Sequence, residues 1–123
     1  MGVERRILIT GSRVWTDKNR IKEALTRLVR NFDGDYVVLI SGACPTGADA
    51  LCEEVWNEWK YPVERHPADW DTHGKKAGFV RNADMANLGA DVCVGFLKNN
   101  SKGTKMMIDL AKKKGIPTVV LEE

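Results

Sequence analysis

The 123-residue sequence has few of the features that cross-link or anchor small proteins. Its three cysteines, Cys44, Cys52 and Cys93, are far apart and form no C-x-x-C pair, so neither a disulfide framework nor a zinc knuckle is indicated. No apolar run approaches the ~18–20 residues of a membrane span, and the first residues show no cleavage-site pattern. We therefore expect reduced thiols, no membrane partner and a cytoplasmic location.

The sequence also lacks an excess of charge of one sign. Its 19 Lys and Arg residues face 17 Asp and Glu residues, for a formal net charge of +2, whereas proteins committed to duplex DNA usually carry a larger basic excess. A charged fraction of 29% beside 43% hydrophobic residues excludes a disordered chain. At this length we expect a single domain over residues 1–123.

Short β-branched runs recur along the chain and predict buried parallel strands over 6–10, 36–41, 92–96 and 118–121, and a short further strand is predicted over 63–66. Amphipathic helices are predicted between them, over about 21–32, 48–59, 79–88 and 104–114. Asp17 and Thr46 are the predicted N-caps of the first two helices, with Asp49 as a capping-box analogue and Gly34 beyond the first helix. The alternating order predicts an α/β fold: a three-layer Rossmann-like domain with a mainly parallel five-stranded sheet and helices on both faces.

The loops that follow the predicted strands contain the residues best suited to bind a ligand. In open α/β sheets, ligands bind outside the carboxyl ends of the strands. Glycines stand at or just before helix starts in three of these loops, where free N–H groups and the helix dipole favour an anion, above all phosphate. The predicted ligand-binding residues are Gly11, Ser12, Arg13, Trp15, Gly42, Ala43, Gly47, Asp49, Trp70, Gly78, Arg81, Asn82, Gly103 and Thr104.

Individual side chains in this set admit more than one interpretation. Arg81 offers a planar guanidinium to phosphate, and Trp15 or Trp70 offers a face on which a nucleobase can stack. Either Trp could instead fill the core, and Arg81 could pair with Asp84 at i+3. Trp56 and Trp59 are assigned to the core or to an interface, which leaves a homo-oligomer open.

Other site chemistries find less support. The stretch from Gly42 to Gly47 has the spacing of a Walker A loop, but Ala48 and Asp49 follow where Lys and Ser/Thr are required, and no G-x-G-x-x-G follows the first strand. The His and Asp side chains over 66–73 lack regular spacing, so no metal and no other cofactor is predicted. Cys44 lies near a helix start, but its loop contains no His that could activate it as a nucleophile.

Four spaced motifs carry a family resemblance. They are I-L-I-T-G-S-R-x-W over 7–15, S-G-A-x-x-x-G-A-D over 41–49, A-D-W-x-x-x-G-x-x-A-G-x-x-R-N-x-x-M over 68–85, and Gly103-Thr104. Together they resemble the SLOG superfamily, specifically its small YspA-like branch. The resemblance implies a Rossmann-like fold that binds nucleotides or nucleotide-derived ligands. Relatives include the lonely-guy phosphoribohydrolases, which release a free base from a nucleoside monophosphate, and DNA-processing proteins that bind single strands.

The sequence departs from the phosphoribohydrolase pattern in its second motif, where Asn100 and Ser101 replace the paired Gly and Met107 replaces the Glu. In those enzymes an R-K-x-x-M-like element and a P-G-G-x-G-T-x-x-E loop supply the catalytic Arg and Glu. The stretch from Arg81 to Met85 resembles the first element, and Gly103-Thr104 retains part of the second, but Met107 stands where the Glu would be. A thioether can neither stabilise an oxocarbenium-like state nor activate water. The resemblance therefore implies a phosphate site and leaves catalysis open.

Three functions follow from these observations. The leading hypothesis is that the protein binds or senses a nucleotide-derived small molecule at the carboxyl edge of the sheet. The second is a nucleotide N-glycosidase or phosphoribohydrolase that uses Asp49 or Asp69 in place of the missing Glu. The third is a single-stranded nucleic-acid binder that stacks bases on Trp15 and Trp70 and follows the backbone with nearby basic side chains.

Overall fold

A computed structural model describes residues 3–33 and 35–123 and contains a five-stranded, all-parallel sheet, which confirms the predicted α/β fold. The strands are β1 (Glu4–Gly11), β2 (Tyr36–Ser41), β3 (Val63–Arg65), β4 (Val92–Leu97) and β5 (Thr118–Glu122). The helices are α1 (Lys18–Asn31), α2 (Gly47–Glu58), α3 (Trp70–His73), α4 (Ala77–Leu88) and α5 (Lys102–Lys113), with a 3₁₀ turn over Gly74–Lys76. No helix in these ranges is long and apolar enough to cross a membrane.

The sheet is covered on both faces because its central strands alternate apolar side chains between two cores. In β1, Ile7 and Ile9 pack with α1 and α2, whereas Leu8 packs with α4 and α5. Each of these three side chains is almost completely buried. A strand buried on both faces reads as a continuous apolar run, which is why the sequence pattern identified it. Trp56 of α2 is also fully buried and belongs to the first core.

The strand order β3-β2-β1-β4-β5 creates a switch point beside β1. From β1 the chain runs outward through β2 to β3 and then returns to the other side of β1 to form β4 and β5. The loops that leave β1 and β4 therefore diverge to opposite faces of the sheet and leave a crevice between them. Such a crevice, at the carboxyl ends of the strands, is where ligands bind in doubly wound folds.

Two predicted helix starts can be compared with the structure. The Asp17 side chain accepts a hydrogen bond from the Arg20 N–H and caps α1 as predicted. The capping box predicted for α2 is wrong, because the Thr46 side chain makes no capping bond and the Asp49 carboxylate accepts from the N–H of Cys44 instead. The predicted position of Gly34 lies outside the described residues.

The segment over 67–78, expected as one long loop, contains α3 and the 3₁₀ turn, and α4 begins at Ala77 rather than Phe79. Asp69 caps α3 by accepting a hydrogen bond from the Thr72 N–H at 3.1 Å. A four-residue helix is too short to show amphipathic periodicity, so the pattern that identified the longer helices could not detect it.

Helix α2 packs against the end of β1 more closely than any side chain on Gly11 would allow. A Cβ placed on Gly11 would lie 2.3 Å from the Ala48 Cβ and 3.0 Å from the Phe96 Cβ. Both neighbours are completely buried, so neither can move into free space. Gly11 therefore sets the distance between β1 and α2, the two elements whose ends flank the crevice.

We expect Gly11→Ala to lower the free energy of unfolding by about 1–3 kcal/mol, because overpacked cores are destabilised by that amount. Gly103→Ala is the matched control, since a Cβ there would meet no atom within 4 Å, and it should change stability by less than about 1 kcal/mol. Urea denaturation of both variants measures the difference. Equal stability of the two variants would show that the contact at Gly11 relaxes without cost.

Candidate functional site

A cleft of about 370 Å³ lies at the carboxyl ends of β1, β2 and β4, at the switch point. It brings together loops that are distant in the sequence. The predicted site residues that line it are Gly11, Ser12, Arg13, Gly42, Asp49, Trp70, Gly78, Arg81, Asn82, Gly103 and Thr104. Three other predicted residues, Trp15, Ala43 and Gly47, do not line it.

Trp15 is part of the core and cannot stack on a base. Its side chain is 2% exposed and packs edge-to-face on Phe96, with ring centroids 5.3 Å apart. Its indole Nε1–H donates to the carbonyl oxygen of Asp17 at 2.9 Å, so the polar atom of the ring is satisfied within the protein. The prediction of Trp15 as a stacking residue is therefore wrong, and its alternative assignment to the core is correct.

Ala43 and Gly47 shape the second loop from outside the cleft. Both have positive φ, +60° and +72° respectively, and Gly47 is pressed against the backbone of Ser12 and Arg13 so closely that a Cβ would lie 2.3 Å from the Ser12 carbonyl oxygen. The N–H of Ala48, at the start of α2, donates to that same carbonyl. The start of α2 thus binds the loop after β1.

The loop after β4 contributes more to the cleft than the sequence pattern indicated. Lys98, Asn99 and Ser101 line the cleft beside the predicted Gly103 and Thr104. Asn99 and Asn100 both have positive φ, a conformation that Asn tolerates better than most residues. The Asn99-Asn100 pair was the feature of the sequence that could have indicated this turn. Lys98 lies immediately before the pair and lines the cleft.

Arg81 is the cation best placed to hold an anion in the cleft. Its Nε donates to Asn82 Oδ1 at 2.9 Å, and its Nη1 donates to the Gly42 carbonyl oxygen. The described residues provide no carboxylate in salt-bridge contact with Arg81 and no partner for its Nη2. The predicted alternative, an ion pair with Asp84, is not formed. Burial lowers the pKa of this guanidinium, opposed by the nearby Asp49 carboxylate.

Asn82 and Gly42 hold the Arg81 side chain in place. Asn82 is 5% exposed, and its Nδ2 donates to the Gly103 carbonyl oxygen at 3.2 Å, so one amide joins α4, the start of α5 and the guanidinium. The guanidinium lies directly against the Cα of Gly42, where a Cβ would come within 2.7 Å of Arg81 Nη1 and 3.1 Å of Asp49 Oδ2. A side chain at position 42 would therefore displace both charged groups.

Asp49 is the only acidic residue that lines the cleft within the described part of the chain. It is 6% exposed, and its Oδ2 accepts the Cys44 N–H at 3.2 Å. Burial raises the pKa of this carboxyl to about 6, although the Cys44 N–H and Arg81 both favour the ionised form. A carboxyl that titrates near neutral pH can exchange a proton with a ligand under ordinary conditions. Asp69, the other predicted candidate, caps α3 and does not line the cleft.

An aromatic rim at the cleft is exposed to solvent. Trp70 is 50% exposed and Phe79 is 46% exposed, and both line the cleft. The Arg13 guanidinium lies 5.8 Å from the Trp70 ring centroid, a cation–π distance. A Cβ on Gly78 would lie 3.8 Å from Trp70, an ordinary van der Waals contact, so this position does not require glycine. Trp70 is therefore a large aromatic surface held at the mouth of a polar cleft.

The start of α5 places Thr104 in the cleft and Met107 in the core. Ser101 caps this helix by accepting from the Thr104 N–H. Thr104 is 2% exposed and lines the cleft, whereas Met107 is fully buried in the second core. The position at which the phosphoribohydrolase pattern requires a Glu is thus filled by a core side chain.

The His and Asp residues over 66–73 serve other contacts. His66 Nε2 lies 2.7 Å from Glu64 Oε2, and Asp69 caps α3. The ranges that the structure describes contain no group of three or more His, Cys, Asp or Glu side chains placed to hold a metal ion.

The Asp49→Asn variant should be more stable than wild type at neutral pH, and this difference in stability should disappear in acid. The folded-state pKa is raised from 3.8 to about 6, so wild type loses stability as pH rises from about 4 to about 6 and stays constant above. Asn keeps the bond from Cys44 and does not titrate. We expect a gain of about 1–3 kcal/mol at pH 7.5 that vanishes near pH 4, measured by urea denaturation across pH. A gain of the same size at both pH values would contradict the account.

Comparisons with known proteins support the resemblance stated above. The model of the "YspA, cpYpsA-related SLOG family" matches residues 5–73, more than half of the chain. The Gene 61 protein of Mycobacterium phage D29 is 41% identical over 120 residues, which cover 94% of each chain. Among solved structures, the C-terminal domain of the PF1911 hydrogenase from Pyrococcus furiosus aligns with a TM-score of 0.46 at 16% identity, over 98% of this chain and 91% of that one. The chain belongs to the YspA, cpYpsA-related SLOG family.

Proposed function

We propose that the cleft binds a nucleotide or nucleotide-derived small molecule, with an anionic group on Arg81 and an aromatic base on Trp70. The observation that carries this proposal is Arg81 itself, a half-buried guanidinium in a cleft, with no carboxylate in salt-bridge contact and with Nη2 free of partners among the described residues. Family membership points in the same direction, because SLOG proteins are associated with nucleotide-related functions.

The electrostatics of the cleft favour an anionic ligand. Arg13, Lys75, Arg81 and Lys98 line it, although Lys98 is paired with Glu123 at 3.4 Å. Asp49 is the carboxylate that lines the cleft in the described ranges. Arg81 has no carboxylate in salt-bridge contact among the described residues, and a phosphate offers Arg two strong hydrogen bonds. A phosphate near Arg81 would therefore give this guanidinium the charged partner that it lacks in the described ranges.

The shape of the cleft favours a ligand with a flat apolar part. A volume of about 370 Å³ is at the lower end of the range for small-molecule sites. Trp70 and Phe79 at its mouth can cover one face of a base, while Ser12, Thr104 and the Gly103 backbone offer hydrogen bonds deeper inside. A mononucleotide-sized molecule has both of the parts that this arrangement requires.

Two substitutions test the proposal by calorimetry against a panel of mononucleotides, ADP-ribose, NAD and cyclic nucleotides. Arg81→Ala should weaken binding about 10- to 100-fold, the value of a hydrogen-bonded charge, and Trp70→Ala about 5- to 150-fold, the value of one stacked base. Trp70→Phe should retain most of the affinity because it keeps an aromatic ring.

Arg30→Ala, an exposed Arg in the last turn of α1, is the matched control and should bind as wild type does. Circular dichroism establishes that each variant is folded. The proposal is wrong if no member of the panel binds, or if folded Arg81→Ala binds as tightly as wild type.

A second candidate function, hydrolysis of the N-glycosidic bond of a nucleotide, is favoured by Asp49 alone. This carboxyl faces the cleft, and its pKa of about 6 lets it act as a base at neutral pH. It could replace the carboxylate that Met107 removes from the phosphoribohydrolase pattern. The third hypothesis, a single-strand binder, required two tryptophans on which bases stack. Trp15 is buried, so only Trp70 of that pair is exposed to a strand.

Chromatography of nucleoside 5′-monophosphates after incubation with the protein tests this second function. If Asp49 is the base, free nucleobase appears at a rate that rises as pH passes about 6, and Asp49→Asn abolishes its release. Asp69→Asn is the control, because Asp69 lies outside the cleft and Asn can still cap α3. Intact nucleotide after long incubation at high protein concentration would rule out the activity.

A further inference from the structure

We infer that the edge strand β5 pairs antiparallel with β5 of a second copy of this chain, about a two-fold axis at Val120, to form one continuous sheet. This inference is independent of the proposed function, because β5 lies at the far edge of the sheet and none of its residues lines the cleft. Four observations support it: the exposed side chains, the direction of the backbone groups, the groove beside the strand and the charges.

The β5 strand is a sheet edge that exposes an apolar side chain on each of its faces. Val119 is 46% exposed and Val120 is 39% exposed. Edge strands of this kind favour pairing with another strand, and proteins usually shorten or charge them. The opposite edge of the sheet, β3, is both short and charged. It has three residues, and its Glu64 and Arg65 form ion pairs with Arg6 and Glu53.

In β5 the backbone N–H and C=O groups of every second residue point away from the sheet. The Cys93 N–H donates to the Pro117 carbonyl oxygen, and the Glu123 N–H donates to the Leu97 carbonyl oxygen, so odd-numbered residues face β4. The N–H and C=O groups of the even-numbered residues therefore point outward. The Glu122 carbonyl oxygen confirms this direction, because it accepts a bond from Arg20 of α1 and retains a second lone pair.

Strand β5 is self-complementary about Val120. A two-fold axis there places each Val120 opposite its counterpart as a hydrogen-bonded antiparallel pair, with Thr118 opposite Glu122 of the copy. Val119 then lies opposite Leu121 of the copy on the α1 face. In that register outward N–H groups meet outward carbonyl oxygens, and Val120 meets Val120 of the copy on one face while Val119 meets Leu121 on the other.

The surroundings of β5 fit a second copy better than an unrelated apolar partner. A groove of about 360 Å³ runs between α1 and β5, with Val119 and Leu121 in its floor. Its walls carry Glu23 as well as Arg20 and Arg27, so a surface related by a two-fold axis offers both signs of charge in return. On the other face, antiparallel pairing directs Glu122 toward the end of α5 of the copy, where Lys112, Lys113 and Lys114 are exposed.

Sedimentation velocity tests the inference with wild type and Val120→Lys. Wild type should sediment as a dimer, with about twice the mass of one chain. Val120→Lys should be a folded monomer, because it places two ammonium groups face to face at the axis. A monomeric wild type at high concentration would overturn the inference, as would a dimer that persists in folded Val120→Lys.

Disulfide formation provides a second readout that depends on the register. In a Cys44→Ser background, where the remaining native cysteines are buried, Val120→Cys should cross-link readily because a hydrogen-bonded antiparallel pair brings Cα atoms to about 5.5 Å. Val119→Cys, equally exposed but opposite Leu121 of the copy, is the matched control and should remain reduced. Equal cross-linking at both positions, or none at position 120, would overturn the register.

Discussion

The charges of Asp49 and Arg81 meet at the backbone of Gly42, and the rest of the cleft is arranged around that contact. Both groups come within about 3 Å of the position that a Gly42 Cβ would occupy, yet they form no direct ion pair. Asp49 is held by the Cys44 N–H, and Arg81 by the Gly42 carbonyl and Asn82. Each charge thus has a fixed position and unused hydrogen-bonding capacity.

This arrangement has an energetic consequence for the unliganded protein. A carboxyl whose pKa is raised by burial lowers stability wherever it is ionised. The tight packing of α2 on Gly11 fixes the start of the helix that carries Asp49. A destabilised carboxyl of this kind is typical of functional sites, where a ligand supplies the missing partner.

The sequence predicted the fold because its central strands are buried on both faces and a glycine stands at or just after the end of β1 and of β2, so that pattern and turn signals coincide there. It predicted most of the cleft for a related reason: parallel strands bring the residues that follow them to one edge of the sheet. The sequence could not show whether the Trp15 side chain is buried or exposed. Its burial depends on the contact with Phe96, which no local pattern encodes. The sequence also missed α3, whose four residues span little more than one period of the helical pattern, and Lys98, which stands just before two Asn residues with positive φ.

The central claim, that the cleft is a nucleotide site organised by Arg81, is tested most directly by a crystal structure of the protein soaked with a mononucleotide. The account predicts a phosphate oxygen within hydrogen-bond distance of Arg81 Nη2 and a base stacked on Trp70. A nucleotide bound elsewhere on the molecule, or bound in the cleft with its phosphate directed away from Arg81, would contradict it.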